Sequence, residues 1–316
     1  MNMVINTRPA VLYHYPCPDG AFAALAAHLY FSAVSVEPLF FPNTVYSPIT
    51  PQHLPLADID HLYLLDFVGP SGFVQKISSA VPNVVVLDHH KTAIGTPIGG
   101  NVAGVVDMNR SGATIAFDYF RDKIDADNKA AVARFDAVRR LFEYIEDGDL
   151  WRWMLPKSKA FSSGFKDLNL EYDVGLNPSL FQQLLSLDLE SLINEGMASL
   201  SEKQKLIDET LSSSYEIALG GGAFGHCLAV NADSISELRS ELGHQLATKS
   251  RSLSLRGIGA VVYRVPELEN DQMLKISLRS VDTEDTTLIS QEFGGGGHRN
   301  ASSFMLGSAE FKQWKL

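Results

Sequence analysis

Cysteine is scarce in this chain. Among 316 residues there are two, Cys17 and Cys227, far apart in sequence. Such a pair makes no disulfide framework, and a reducing cytosol is the expected compartment. Long apolar runs are missing as well. No stretch reaches the roughly 18 apolar residues that a membrane span requires, so no membrane partner is expected. The opening "MNMVINTRPAVLYHY" shows no basic segment leading into an apolar core, and its apolar part reads as a first strand. Positive charge is in deficit too. Acidic residues outnumber Lys and Arg by 37 to 26, a net charge of −11, and no basic run occurs. Proteins that grip long nucleic acid normally carry a basic footprint. Long DNA or RNA is therefore disfavoured as a partner, whereas a short anion held by a few local charges is not.

What is present is an ordinary globular composition, 45% hydrophobic and 20% charged, in a chain long enough for two domains. The first half alternates strand and helix patterns. Strands are expected at 10–15, 34–41, 61–68, 83–90 and 103–108, with a helix at 20–31 and a crossover helix at 70–81. Near-continuous apolar strands separated by helices imply a parallel sheet covered on both faces. Helical spacing dominates from 111 to about 215, and "NPSLFQQLLSLDLESLINEG" (177–196) reads as one helix. β-like text returns after "GGG" at 220–222. The expected fold class is α/β: a parallel-sheet N-terminal domain with a helical insert (1–190), a helical linker (191–219) and a smaller mixed α/β domain (220–316).

The strands of the first half end unusually. Ligands of open α/β sheets bind outside the carboxyl ends of the strands. Here "VLYHYPCPDG" ends with His14, Cys17 and Asp19, "LYLLDF" with Asp66, and "VVVLDHH" with Asp88, His89 and His90. A helical segment also closes on "EDGDLW", with Glu146, Asp147 and Asp149. One aspartate at a strand end is most often a turn residue or a helix cap, but here each strand would need its own such explanation. On a shared sheet these groups converge on one edge, where carboxylates would repel unless a cation joined them. Oxygen and nitrogen donors suit Mn²⁺ or Mg²⁺. A carboxylate shared by two ions suits phosphoester hydrolysis.

"HYPCPDG", "LLDFVG", "VVVLDHHKT" and "EDGDLW" resemble, in order, the four acidic motifs of the DHH phosphoesterase superfamily. That superfamily includes RecJ-like exonucleases, nanoRNases and inorganic pyrophosphatases. Residues 274–304, with "GGGGH" and a following Ala301, resemble the DHH-associated C-terminal domain of its nuclease and small-nucleotide branch. By motif position the resemblance implies Asp19, Asp66, His89 and Asp149 as metal ligands, with Asp66 bridging two ions, Mn²⁺ first and Mg²⁺ or Co²⁺ as alternatives. Asp88 would orient a neighbour and His90 would face the phosphate. Asp147 competes with Asp149, because "DGDLW" aligns in two ways. One departure stands out. Where members carry acids or His four and two residues before the first-motif aspartate, this chain has Tyr15 and Cys17. His14 lies one place off and is retained as a candidate ligand. Cys17 would bring a soft thiolate that favours Zn²⁺, although a plain loop residue is the commoner outcome.

For the substrate, Gly295, Gly296 and Gly297 lack the Cβ that keeps backbone N–H groups from an anion, especially at a helix start. Arg279 and Arg299 can bind phosphate bidentately, and His298 stands between glycine run and arginine. The resemblance implies hydrolysis of a phosphodiester in a short oligonucleotide or small nucleotide, nanoRNase-like. Alternatives are a 3′,5′-bisphosphate nucleotide phosphatase, a cyclic or linear dinucleotide phosphodiesterase, and a nucleotide-binding protein without turnover. A homodimer is left open.

Overall fold

The structure is a computed structural model that describes residues 7–44, 47–96, 99–265, 268–281 and 283–316. The chain divides into two compact units, Met1–Ser199 and Leu200–Leu316.

The first unit runs β1 (Arg8–Tyr15), α1 (Pro18–Ala33), β2 (Leu39–Thr44), β3 (Ile59–Leu65), α2 (Phe73–Ser78), β4 (Asn83–Asp88) and β5 (Val102–Val106). Helices follow: α3 (Gly112–Arg121), α4 (Lys129–Asp149), α5 (Ser158–Asp167), α6 (Leu180–Leu185) and the start of α7 (Leu189–Ser212). The five strands are all parallel, in the order β2-β1-β3-β4-β5. Their apolar residues alternate between two covered faces. Leu62, Leu64, Val84 and Val86 pack with Phe73, Val74 and Ile77 of α2. Tyr63, between Leu62 and Leu64, turns the other way to Phe31 of α1 and Phe120 of α3. Covering both faces is what lets these strands be nearly continuous in hydrophobicity. The order of strands reverses between β1 and β3, so the loops leaving them diverge and open a crevice at the carboxyl edge. The "HYPCPDG" and "LLDFVG" segments are those two loops.

Two elements differ from expectation. β2 starts at Leu39 rather than 34 and contains Pro42, which an edge strand accommodates because one flank needs no N–H. The pattern at 177–196 splits into α6 and α7. Asp188 restarts the helix, its Oδ1 accepting from the Ser191 N–H at 2.7 Å.

The second unit contains the rest of α7, then β6 (Tyr215–Ala218), β7 (His226–Asn231), α8 (Arg239–Ser252), β8 (Ile258–Tyr263), β9 (Met273–Ser280), α9 (Thr287–Glu292), β10 (Gly296–His298), β11 (Ala301–Gly307) and α10 (Ser308–Lys312). Its mixed sheet has the order β10-β11-β9-β8-β7-β6, with β7 and β8 parallel. Leu242 and Leu246 of α8 cover one face over Val230 and Val261. Ile276, Leu278 and Phe304 face Phe311 and Trp314 on the other. The chain is thus α/β in both units.

Candidate metal centre

β1 delivers His14, and the chain then turns into α1, with Cys17 as its N-cap residue and Asp19 in the first turn. "PDG" is not a free turn. Gly20 lies inside α1, where a Cβ would stand 2.1 Å from the His14 carbonyl oxygen. Glycine is what allows helix and strand to meet this closely. Asp19 is 1% exposed, and its two oxygens accept from the N–H groups of Gly112 (2.7 Å) and Ala113 (3.0 Å) at the start of α3.

Asp66 follows β3 directly and sits in the left-handed region, φ 63°, with its N–H held by the Leu87 carbonyl at 2.8 Å. This backbone turn directs a 1%-exposed carboxylate between two histidines. Oδ2 lies 3.1 Å from His14 Nδ1, and Oδ1 lies 3.1 Å from His89 Nε2 without meeting it in hydrogen-bond geometry. Gly112 makes room here, since a Cβ would come within 2.7 Å of the Asp66 Cβ. Asp88 closes β4, fully buried. Its Oδ1 accepts from the His89 and His90 N–H groups (2.7 and 3.1 Å) and pairs with His90 Nδ1 (2.8 Å), while Oδ2 has no hydrogen-bond partner.

The two candidates of "DGDLW" separate by geometry. Asp149, the last residue of α4, places Oδ2 3.6 Å from His89 Nε2. Asp147 turns away and accepts from the N–H groups of Met154 (2.9 Å) and Leu155 (3.2 Å), tying down the loop beyond α4. Glu146 serves structure as well, accepting from the Ser111 N–H, the Thr114 hydroxyl and Arg152. Arg152 and Arg110 are engaged with Glu146 and Asp118 respectively.

Electrostatics mark the cluster as cation-seeking. Burial, then the charges of Asp66 and Asp149, push the Asp19 carboxyl well above its ordinary range. Burial, then the charge of Asp66, raises the Asp149 carboxyl from its ordinary value. Burial alone would raise Asp66, but its contacts with His14 and His89 hold it below the usual carboxylate range. Burial opposes protonation of His89, yet Asp66 at its Nε2 shifts it upward. The hydrogen bond to Asp88 lifts His90 to about 8. Burial pushes the Cys17 thiol up, with Asp66 and Asp19 adding to the effect.

The donors fit divalent ions. Three groups each bring their ligand atoms within 4.8 Å of one another: His14, Cys17 and Asp66; Asp66, His89 and His90; Asp19, His89 and Asp149. Asp66 joins the first two and His89 the last two. The unpartnered buried Asp66 Oδ1 lies among them, where a cation would satisfy it. Two cavities flank the cluster. One of about 410 Å³ has Asp19 and Asp149 in its wall together with Tyr144, Phe165 and Tyr172; another of about 320 Å³ is bounded by His14, Asp66 and His90.

In the second unit the substrate candidates fall into a row. His298 pairs with Ala301, and Ala301 with Arg279, across β10, β11 and β9. Directly opposed residues of antiparallel strands share a face, so His298 and Arg279 stand on the same side with a small alanine between them. This is also the α8 side. Arg279 is half-buried beneath α8, where Gly243 leaves space for it, and it donates to Ser240 Oγ (3.0 Å), Ser277 Oγ (3.0 Å) and the Leu278 carbonyl (2.9 Å). Burial, then nearby Arg239, lowers its pKa from the usual value. Arg299 is exposed in the β10–β11 turn and donates to the Thr283 carbonyl. The glycine run does not open a helix. It follows α9 and becomes the sheet-edge strand β10, where close backbone contact demands glycine at two places. A Cβ on Gly295 would stand 2.1 Å from the Ser303 carbonyl oxygen, and one on Gly297 would stand 2.5 Å from that of Ala301, whereas Gly296 faces open space.

No protein-family model matches the chain. The uncharacterized protein R106 of Acanthamoeba polyphaga mimivirus is 27% identical over 307 residues, which cover 92% of this chain and 66% of that protein. The chain thus spans just under two thirds of that relative's length. Among solved structures, exonuclease RecJ bound to manganese matches with a TM-score of 0.50 at 15% identity, over 97% of this chain and 88% of that one. The pGpG-specific phosphodiesterase PggH from Vibrio cholerae matches at 0.52 and 10%, over 97% and 96%. The chain has the α/β fold of these two proteins.

Proposed function

We propose that this protein is a metal-dependent phosphoesterase that hydrolyses phosphodiester bonds in short oligonucleotides or small nucleotides, with short RNA as the first choice of substrate. One observation carries the reading: Asp66, 1% exposed, belongs to two groups of potential metal ligands, with Oδ2 3.1 Å from His14 Nδ1 and the unpartnered Oδ1 3.1 Å from His89 Nε2. Asp19, Asp66, His89 and Asp149 would hold one ion, and Asp66 with His14 would contribute to a second. Two such cations, Mn²⁺ foremost, supply charge neutralisation and polarise the phosphoryl oxygens. The protein's own groups complete the chemistry. His90 keeps Nδ1 on Asp88, which leaves Nε2 to meet the substrate. When protonated, the ring can donate from Nε2 to a phosphoryl oxygen. In the second unit, Arg279 and His298, with Arg299 and the backbone of Gly295, Gly296 and Gly297 close by in sequence, are the candidates for binding a nucleotide. The acidic net charge supports a short substrate rather than a long one.

The test is Mn²⁺-dependent hydrolysis of RNAs of two, five and twenty-five nucleotides by wild type and Asp66→Asn. The two short RNAs should be cleaved faster than the longest, and Asp66→Asn should be inactive while folded. Faster cleavage of the longest RNA would contradict the substrate class, and an active Asp66→Asn would remove this site. Nucleotide binding without turnover would instead assign a binding protein.

A further inference from the structure

One donor beside Asp66 is of a different kind. The Cys17 sulfur, a His14 ring nitrogen and an Asp66 carboxylate oxygen lie within 4.8 Å of one another, and Asp66 brings to this corner a carboxylate 1% exposed whose Oδ2 lies 3.1 Å from His14 Nδ1. Bonds of about 2.3 Å to sulfur and 2.0–2.2 Å to nitrogen and oxygen would draw such a set in by roughly 1 Å. Half-buried side chains at the mouth of a loop can supply that movement.

We infer that Cys17 is a metal ligand, and that the His14–Cys17–Asp66 corner is a mixed nitrogen, sulfur and oxygen site selective for a thiophilic ion such as Zn²⁺ or Co²⁺. This deepens the metal-dependent reading and rests on it. The other corner, with Asp19, Asp149 and His89, offers oxygen and nitrogen alone. The two corners therefore differ in softness: thiolate favours Zn²⁺ and Co²⁺, whereas Mg²⁺ and Mn²⁺ prefer oxygen. The centre is asymmetric, with a tightly held ion on the sulfur side and a more exchangeable one on the carboxylate side. The second cysteine, Cys227, is fully buried in the core of the second unit and serves as an internal control.

Cobalt reports the ligand directly, because a thiolate bound to Co²⁺ gives a near-ultraviolet charge-transfer band that oxygen and nitrogen ligands do not. The full-length metal-free protein, kept reduced with a phosphine, is titrated with Co²⁺ while absorbance and bound cobalt are followed together. Wild type and Cys227→Ala should develop the band. Cys17→Ser should lose it yet still bind cobalt at the other corner, and Cys17→Asp should bind without the band and shift selectivity toward Mn²⁺ over Zn²⁺ by at least about tenfold. Circular dichroism confirms that each variant is folded. If wild type binds cobalt without the band, or Cys17→Ser retains it, the thiolate assignment is wrong while the metal centre stands. If wild type binds no cobalt, the metal-dependent reading falls with it.

Discussion

Asp147 and Asp149 are two residues apart, both acidic and both at the end of α4, yet they should fail in opposite ways. Asp147 is 4% exposed and accepts two backbone N–H groups, from Met154 and Leu155. A hydrogen bond to a charged group contributes about 1.5–3 kcal/mol. At the lower end for each, Asp147→Ala costs about 3 kcal/mol, or about 6–12 °C of melting temperature for a domain of this size. Asp149 behaves differently in metal-free protein. Burial, then Asp66, raises its folded pKa above the unfolded value. An ionised carboxylate with a raised folded pKa destabilises the fold above the unfolded pKa, and that penalty disappears as pH falls through the folded pKa. Asp149→Asn should therefore raise the melting temperature of metal-free protein at pH 7, and the gain should shrink on acidification. With Mn²⁺ present the ranking should reverse, because a ligand is lost. The assay is thermal unfolding by circular dichroism with and without Mn²⁺, beside Mn²⁺-dependent hydrolysis. A stable but inactive Asp147→Ala, or a metal-free Asp149→Asn that melts lower, would refute the division of roles.

The other expectations follow from the same geometry. In metal-free protein, His90 should titrate by NMR near pH 8, and Asp88→Asn should move it back toward ordinary histidine; an unmoved midpoint would show that Asp88 is not its partner. Because that pKa is raised, the stabilisation from the His90–Asp88 contact should be complete below the unfolded histidine pKa of about 6.5 and fade as pH rises through about 8. Gly112→Ala should lose about 1–3 kcal/mol by overpacking and weaken cation binding, since the new methyl displaces Asp66; calorimetric Mn²⁺ titration reads this. Arg279→Ala or His298→Ala should lower kcat/KM on a dinucleotide by about 2–4 kcal/mol but spare a small chromogenic diester. Equal losses on both substrates would dissolve the assigned roles.

The carboxyl-edge convergence was legible in sequence because it needs only apolar strands that end in polar groups. Asp66, Asp88, His89 and Asp19 occupy such positions, and parallel pairing brings their strand ends to one side. Cys17 and His14 were harder to read. Their spacing departs from the family pattern, and only the turn into α1 shows both near Asp66. Asp149 and Asp147 were indistinguishable in sequence, since either can end a helix; the loop N–H groups that claim Asp147 come from residues 154 and 155. The α3 start was legible as a helix from 111, but the part its first N–H groups play at Asp19 was not. "RSGAT" could have signalled it, with Ser111 as cap and a glycine where a carboxylate passes close. The glycine run was legible as special but not as to its reason, because strand pairing with β11, rather than a helix start, determines which glycines are needed.

The bond between Asp19 and the first N–H groups of α3 has a consequence for how loss of function is interpreted. One carboxylate fastens a helix and faces the cation cluster, so alanine at position 19 cuts a structural tie and a candidate ligand together. An inactive Asp19→Ala would therefore convict the residue without naming its offence. Asn at position 19, which keeps an oxygen for one of the two N–H groups, separates the charges on the indictment: a helix that stays fastened while cations no longer bind leaves only the ligand role to answer for.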